Sequence, residues 1–138
     1  MRNLTVALST DERGGMIFNK RRVSRDRILI RDLMSGFDGK IYINEYSKLL
    51  FEEYPDRTVV CKSALDEAPD GAVCFIEFPP FAPYISDISR FIIYNWNRRY
   101  PFDLCLDVSP SDEGYKSVSV FEFEGSSHEK ITKEIFER

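Results

Sequence analysis

Ser24-Arg25-Asp26-Arg27-Ile28-Leu29-Ile30-Arg31-Asp32-Leu33-Met34-Ser35-Gly36-Phe37, followed closely by Gly39-Lys40-Ile41-Tyr42-Ile43-Asn44, is the stretch that decides the fold class. Ile30, Leu33, Met34 and Phe37 fall at i, i+3, i+4 and i+7, one face of a helix. Ser24 stands where an N-cap belongs, Asp26 lies in the first turn and Gly36 near the end. Arg27 and Arg31 then belong on the solvent side. Gly39 releases the chain into a strand over Lys40 to Ile43, and Asn44 is placed to cap a short helix from Glu45 to Glu53, which stops before Pro55. Upstream, Leu4 to Ser9 reads as a strand leading into a polar loop that carries Gly14-Gly15 and runs to about Val23. Downstream, Thr58 to Cys61 is a third strand. The order β-α-β-α-β is that of parallel strands joined by crossover helices.

The second half is richer in strands. Pro69-Asp70-Gly71 is a turn, Pro presetting φ and Gly accepting φ > 0, and Ala72 to Phe78 after it is a β-rich apolar run. Pro79-Pro80-Phe81-Ala82-Pro83 lacks three amide donors and is a rigid connector. Arg90 to Tyr94, Leu104 to Val108 and Ser117 to Glu124 read as strands. Ser126-Ser127-His128-Glu129 fits a capping box, and Glu129 with Lys133 makes an i,i+4 pair, so a closing helix is expected from there to the C-terminus. The fold expected is α/β, with α+β left open: one domain over residues 1–138, with a mixed sheet of about six or seven strands, two N-terminal crossover helices and a C-terminal helix.

A chain of 138 residues with 43% hydrophobic residues, 11 Phe and 7 Tyr has the material for its own core. Met1 to Val6 does not have the apolar run of a signal peptide, and no stretch approaches membrane-spanning length, so a cytoplasmic address is expected. Cys61, Cys74 and Cys105 each lie in an apolar stretch and read as buried reduced thiols. With a single histidine, His128, and no CxxC pair, no zinc site can be assembled; carboxylates alone leave Mg²⁺ or Ca²⁺ open, and no metal ligand is assigned. The residues name no cofactor.

Net charge is −4, yet Lys20, Arg21, Arg22, Arg25, Arg27 and Arg31 are opposed only by Asp26 within their own segment. A basic island on an acidic body argues against broad coating of nucleic acid and fits one anionic ligand at one place. The expected site is the loop-to-helix junction, where Gly14 and Gly15 amides, Ser24, Arg21, Arg22 and Arg25 would hold an anionic small molecule or a nucleotide. A second place for a ligand is Trp96, Asn97 and Arg98, the only tryptophan beside an amide and a guanidinium, which could stack and hydrogen-bond a planar group. The alternative is a domain without enzymatic activity that docks a partner or a second copy through aromatics from Phe78 to Tyr84 and Trp96 to Tyr100. Ser127 and His128, adjacent in sequence, cannot face each other as nucleophile and base, and no GxSxG elbow exists. His128 is nevertheless the one side chain whose ordinary pKa lies near neutrality.

Two resemblances arise from these residues. Asp11 to Asn19, Arg21 to Asp26, Tyr94 to Arg98 and Gly125 to Glu134 resemble a group of short bacterial proteins, some of which go under the name ribonuclease Z. The zinc chemistry which that name implies needs an HxHxDH motif and further histidines, and one histidine cannot supply them. The first 60 residues resemble dihydrofolate reductase, with a strand, a loop bearing Asp and Gly, a helix carrying acids, and a strand running into a further helix. That resemblance implies Asp26 or Asp32 as the acid and the loop at Gly14-Gly15 as a mobile flap; no later Gly-Gly cofactor turn is present.

Overall fold

The computed structural model describes residues 1–138. β1 (Leu4–Thr10) is buried along nearly all its length, because it lies in the middle of a seven-stranded sheet. Parallel to it run β6 (Val73–Phe75) on one side and β7 (Ile88–Asn95) on the other. β4 (Ile41–Asn44) pairs in parallel with β6 and with β5 (Thr58–Cys61). Beyond β7 come β10 (Ile131–Glu137) and then β9 (Lys116–Phe123), both in antiparallel pairings. The order β5-β4-β6-β1-β7-β10-β9 is the mixed sheet expected, parallel where strands alternate with crossovers and antiparallel where they do not.

One face of the sheet is covered by α1 (Arg27–Ser35), which buries Leu29, Ile30, Leu33 and Met34 against Ala7, Ile41, Ile43, Phe75 and Ile92. Phe37 is half-buried and Arg27 and Arg31 are exposed, as the periodicity requires. The opposite core gathers Leu4, Val6, Leu8, Phe81, Phe91 and Tyr115. Cys61 and Cys74 are buried, and burial pushes the Cys74 thiol up to about 12, far from reactivity. Cys105 departs from expectation. It is exposed, on the two-residue strand β8 (Leu104–Cys105) of a small outlying sheet.

Four expectations about local structure are corrected. The loop up to Val23 contains a hairpin, β2 (Gly15–Phe18) and β3 (Arg21–Arg22), closed by Asn19 and Lys20 at φ 52° and 65°. Two successive positive φ angles suit the twist of a hairpin, and Asn is one of the residues that accepts them. The N-cap of α1 is Asp26, whose carboxylate accepts the Ile28 amide at 2.9 Å, so Ser24 is left for another partner. The segment after Asn44 is a 3₁₀ helix (Glu45–Phe51), and Asn44 caps the Ala64 amide that opens the one-turn α2 (Ala64–Glu67). The C-terminal helix is instead strand β10. Ile131, Thr132 and Ile135 are β-branched, and the seven-residue segment fits between β7 and β9 with Ile131 and Phe136 buried. The i,i+4 charge pair could not outweigh that burial. Ser126 consequently caps no helix of its own.

No helix is long and apolar enough to cross a membrane.

Candidate functional site

β1, β6 and β7 end on the same side, at Thr10, Phe75 and Asn95, and the segments leaving them meet the entrance to α1. The carboxyl ends of parallel strands are where open α/β sheets form ligand crevices. Here the side chains that meet are polar and largely buried.

Asp26 is the centre. Its oxygens accept the amides of Ile28, Ser126 and Ser127, each at 2.9 Å, and Nδ1 of His128 at 2.9 Å. Burial alone would raise its pKa, but these donors hold the carboxyl well below the usual carboxylate range. The loop between β9 and β10 approaches so closely at Gly125 that any Cβ there would run into the Asp26 carboxylate. His128 is fixed on both sides. Trp96 stacks on its ring, centroids 4.4 Å apart, and Nε2 faces the Ser24 hydroxyl at 2.8 Å and the Tyr100 hydroxyl at 3.2 Å. With Asp26 ionised, the Nδ1–H of His128 donates to its carboxylate, and in that tautomer Nε2 is left to accept from the Ser24 hydroxyl.

Beside this cluster lies an open groove of about 650 Å³ lined by Lys20, Arg21, Arg22, Ser24, Arg25 and Tyr46, with no carboxylate in its wall. Arg22 is matched from behind. Its Nε lies 2.6 Å from Oε1 of the buried Glu77, Nη2 donates to the Tyr46 carbonyl, and Ser47 donates to the same carboxylate. Lys20, Arg21 and Arg25 form no ion pair. A neighbouring cleft of about 380 Å³ between α1 and the 3₁₀ helix shares Arg25, but there Arg27 and Arg31 face Glu52 and Glu53, so its charge is balanced.

Of the residues expected at the junction, the structure brings Arg21, Arg22, Ser24 and Arg25 to one groove and leaves Gly14 and Gly15 out of it. The Gly15 amide donates to the Asp11 side chain at 2.8 Å and the Gly14 amide to the Asp11 carbonyl at 3.1 Å. The N-terminus of α1 is also closed, filled by Asp26 and by the Ser126 hydroxyl near the Arg27 amide. At the second expected place, Trp96 is 2% exposed and stacked on His128, so its ring has no face for a ligand. Asn97 bonds Lys130 and Thr132, and Arg98 points outward at the surface. Asp32 is bound to Lys133 at 2.8 Å and to the Tyr94 hydroxyl at 2.7 Å, away from the groove. Of the aromatics expected to form a docking surface, Phe81 and Trp96 are buried and Phe78, Tyr84 and Tyr100 are half-buried. No cluster of His, Cys, Asp and Glu suited to a metal is present. What sequence reasoning missed is the contact of Ser24 with His128, 104 positions apart, for which the sequence carries no local signal.

No protein-family model and no curated protein sequence matches the chain. Among solved structures it is similar to a dihydrofolate reductase from Enterococcus faecalis complexed with NADP(H) and RAB-propyl, with TM-score 0.67, 10% identity, 99% of this chain covered and 97% of that one. The expected resemblance to that fold thus holds over the whole chain and not only its first 60 residues.

Proposed function

We propose that the chain binds an anionic small molecule, of the phosphorylated or nucleotide class, in the groove walled by Lys20, Arg21, Arg22, Ser24 and Arg25. The observation that carries this reading is that three cations without partners share one concavity that contains no carboxylate, although the chain as a whole is acidic. Like charges gathered this way repel one another, and an anion relieves the repulsion while gaining charge-assisted hydrogen bonds. The dihydrofolate reductase of similar fold is complexed with NADP(H), itself a phosphate-bearing nucleotide. Titration calorimetry with pyrophosphate and NADP(H) tests the reading. Binding should weaken about tenfold in Arg25→Ala, the loss of one such contact, and its salt dependence should fall. Absence of heat and of thermal stabilisation with both ligands would reject it.

A second reading, self-association, is favoured by one feature. β9 is the outer strand of the sheet, its far edge is unpaired, and Val118, Val120 and Phe121 are exposed on it. Sedimentation velocity with the wild type and Val120→Lys separates a dimer from a monomer.

A further inference from the structure

We infer that Ser24 is a nucleophile activated by His128, and that the groove hydrolyses carboxylic esters bearing an anionic group through an acyl-Ser24 intermediate. The anionic part of this substrate class rests on the binding reading above; the nucleophile does not.

The geometry is that of a relay. Ser24 Oγ lies 2.8 Å from His128 Nε2, and His128 Nδ1 lies 2.9 Å from Asp26 Oδ2. These are hydrogen-bond distances at both ends of one ring, the arrangement in which a serine is deprotonated as it attacks. The His128 and Asp26 side chains are 3% and 0% exposed, so water does not compete for either contact, and the Trp96 stack keeps the imidazole from turning. Ser24 itself is half-buried and lines the groove, so its hydroxyl is at the boundary between the closed network and open space. It is also free of the capping duty its position suggests, since Asp26 performs it. The amides of Ser24 and Arg25 donate to no acceptor in the protein. The amide of the residue after a nucleophile is a common oxyanion donor, and Arg25 supplies one in that position.

Attack by Oγ forms the bond to the acyl carbon as the Ser24 proton passes to Nε2, and the carbonyl electron pair moves to the oxygen facing the Arg25 amide. When the pair returns, the ester C–O bond breaks and the leaving alcohol takes the proton from Nε2. Water then attacks the acyl carbon, gives its proton to Nε2, and releases the acid as Ser24 recovers that proton. Ser24 and His128 are the catalytic residues, Asp26 a positioning residue that fixes the tautomer, and Lys20, Arg21 and Arg25 hold the anionic end of the substrate.

A fluorophosphonate reagent tests the nucleophile, since displacement of fluoride by Oγ leaves a stable adduct on the tryptic peptide Val23 to Arg25. One adduct per chain on Ser24 is expected, absent in Ser24→Ala, which removes a single hydroxyl and whose folding is checked by its melting curve. His128→Gln should slow labelling at least about 100-fold, the loss of general-base assistance. Asp26→Asn should slow it with pyrophosphate affinity unchanged, a split that mere structural damage would not give. A folded wild type that takes no label on Ser24, or a rate unchanged in folded His128→Gln, overturns the proposal. Pyrophosphate binding without labelling removes the nucleophile and leaves the anion site standing. Labelling of Ser24 with no preference for p-nitrophenyl hemisuccinate over p-nitrophenyl acetate, and none lost in Arg25→Ala, removes the anionic substrate class and leaves the nucleophile standing, while the anion site itself falls only if pyrophosphate does not bind.

Discussion

Two buried aspartates hold two loops in this protein, and they do so with nearly the same hydrogen bonds. Asp11 accepts the amides of Arg13 and Gly15 at 2.8 Å and of Tyr100 at 3.0 Å; Asp26 accepts three amides at 2.9 Å. In each case burial raises the pKa and hydrogen-bond donors bring it below the ordinary value, the amides at Asp11 and His128 followed by the amides at Asp26. In each case a glycine lets the backbone close over the carboxylate, Gly15 at Asp11 and Gly125 at Asp26. The difference is the fourth partner. Asp11 faces the Arg13 guanidinium at 3.8 Å, a fixed charge that ends the network. Asp26 faces a histidine, which has a second nitrogen and passes the interaction on to Ser24 and the groove. A carboxylate that accepts only amides and a guanidinium is a clamp; one that orients an imidazole also sets a proton position.

The largest effect that tests this comparison is removal of either carboxylate. Asp11→Ala and Asp26→Ala each strand several amides in partly buried places, and Asp26→Ala also strands a buried ring nitrogen. Both should lose about 3–5 kcal/mol in chemical denaturation. If Asp26→Ala loses less than about 1 kcal/mol, its amides are satisfied otherwise and the matched pair of clamps is broken as an idea.

The sequence made the parallel half of the sheet legible and not the clamps. α1 and β1 were readable because their signals are local: a 3.6-residue apolar period at Ile30, Leu33 and Met34, and an apolar run at Leu4 to Leu8. β10 was not, because Ser126 and Glu129 mimic a capping box while the decisive fact, a vacant slot between β7 and β9, is a property of the assembled sheet. The arginine groove was half legible. Charge density along Lys20 to Arg25 identified the cations, but the hairpin turn at Asn19-Lys20 decides that Arg21, Arg22 and Arg25 face a common space and that Gly14 and Gly15 do not. The Asp26 cluster joins residues about 100 positions apart, and no window of sequence contains both halves.

The pH dependence of stability is the next test in size. Both aspartates have folded pKa values below the unfolded value of 3.8, so above about pH 5 neither state binds a proton at these groups and their full stabilisation is present. As pH falls below that value the unfolded chain takes up protons that the folded protein refuses, and stability declines, by at most about 1.4 kcal/mol per pH unit for each group. Urea midpoints between pH 5 and pH 2 should therefore fall, and the fall should be shallower in Asp11→Asn and in Asp26→Asn than in the wild type. A variant that follows the wild-type curve would show its carboxylate to be unshifted.

Smaller still is the effect of the two glycines. Gly15→Ala sets a Cβ against the Phe102 ring and Gly125→Ala sets one against the Asp26 carboxylate, and each should destabilise by about 1–3 kcal/mol, the range for overpacking. The two variants separate on a functional readout: Gly125→Ala moves the loop that carries His128 and should slow fluorophosphonate labelling of Ser24, whereas Gly15→Ala should leave that rate within about twofold. Equal slowing in both would mean that the two loops move as one unit.

The smallest stability effect belongs to Arg25, which lines the groove but joins no ion pair. Its side chain is exposed, its removal strands no buried partner, and its carbonyl, which accepts the Ser127 hydroxyl at 3.2 Å, survives any substitution. Arg25→Ala should change folding stability by no more than about 0.5 kcal/mol, as surface substitutions away from caps and buried networks do. Because Lys20 and Arg21 stand nearby without acids of their own, relief of repulsion should move the change toward the stabilising side at low salt, an increment that 1 M salt should erase. Denaturation in low and high salt measures it. A loss above about 1 kcal/mol would mean that Arg25 is part of the protein's own charge balance, and the groove cations would then be structural, as Asp11 is, with no vacancy for an anion.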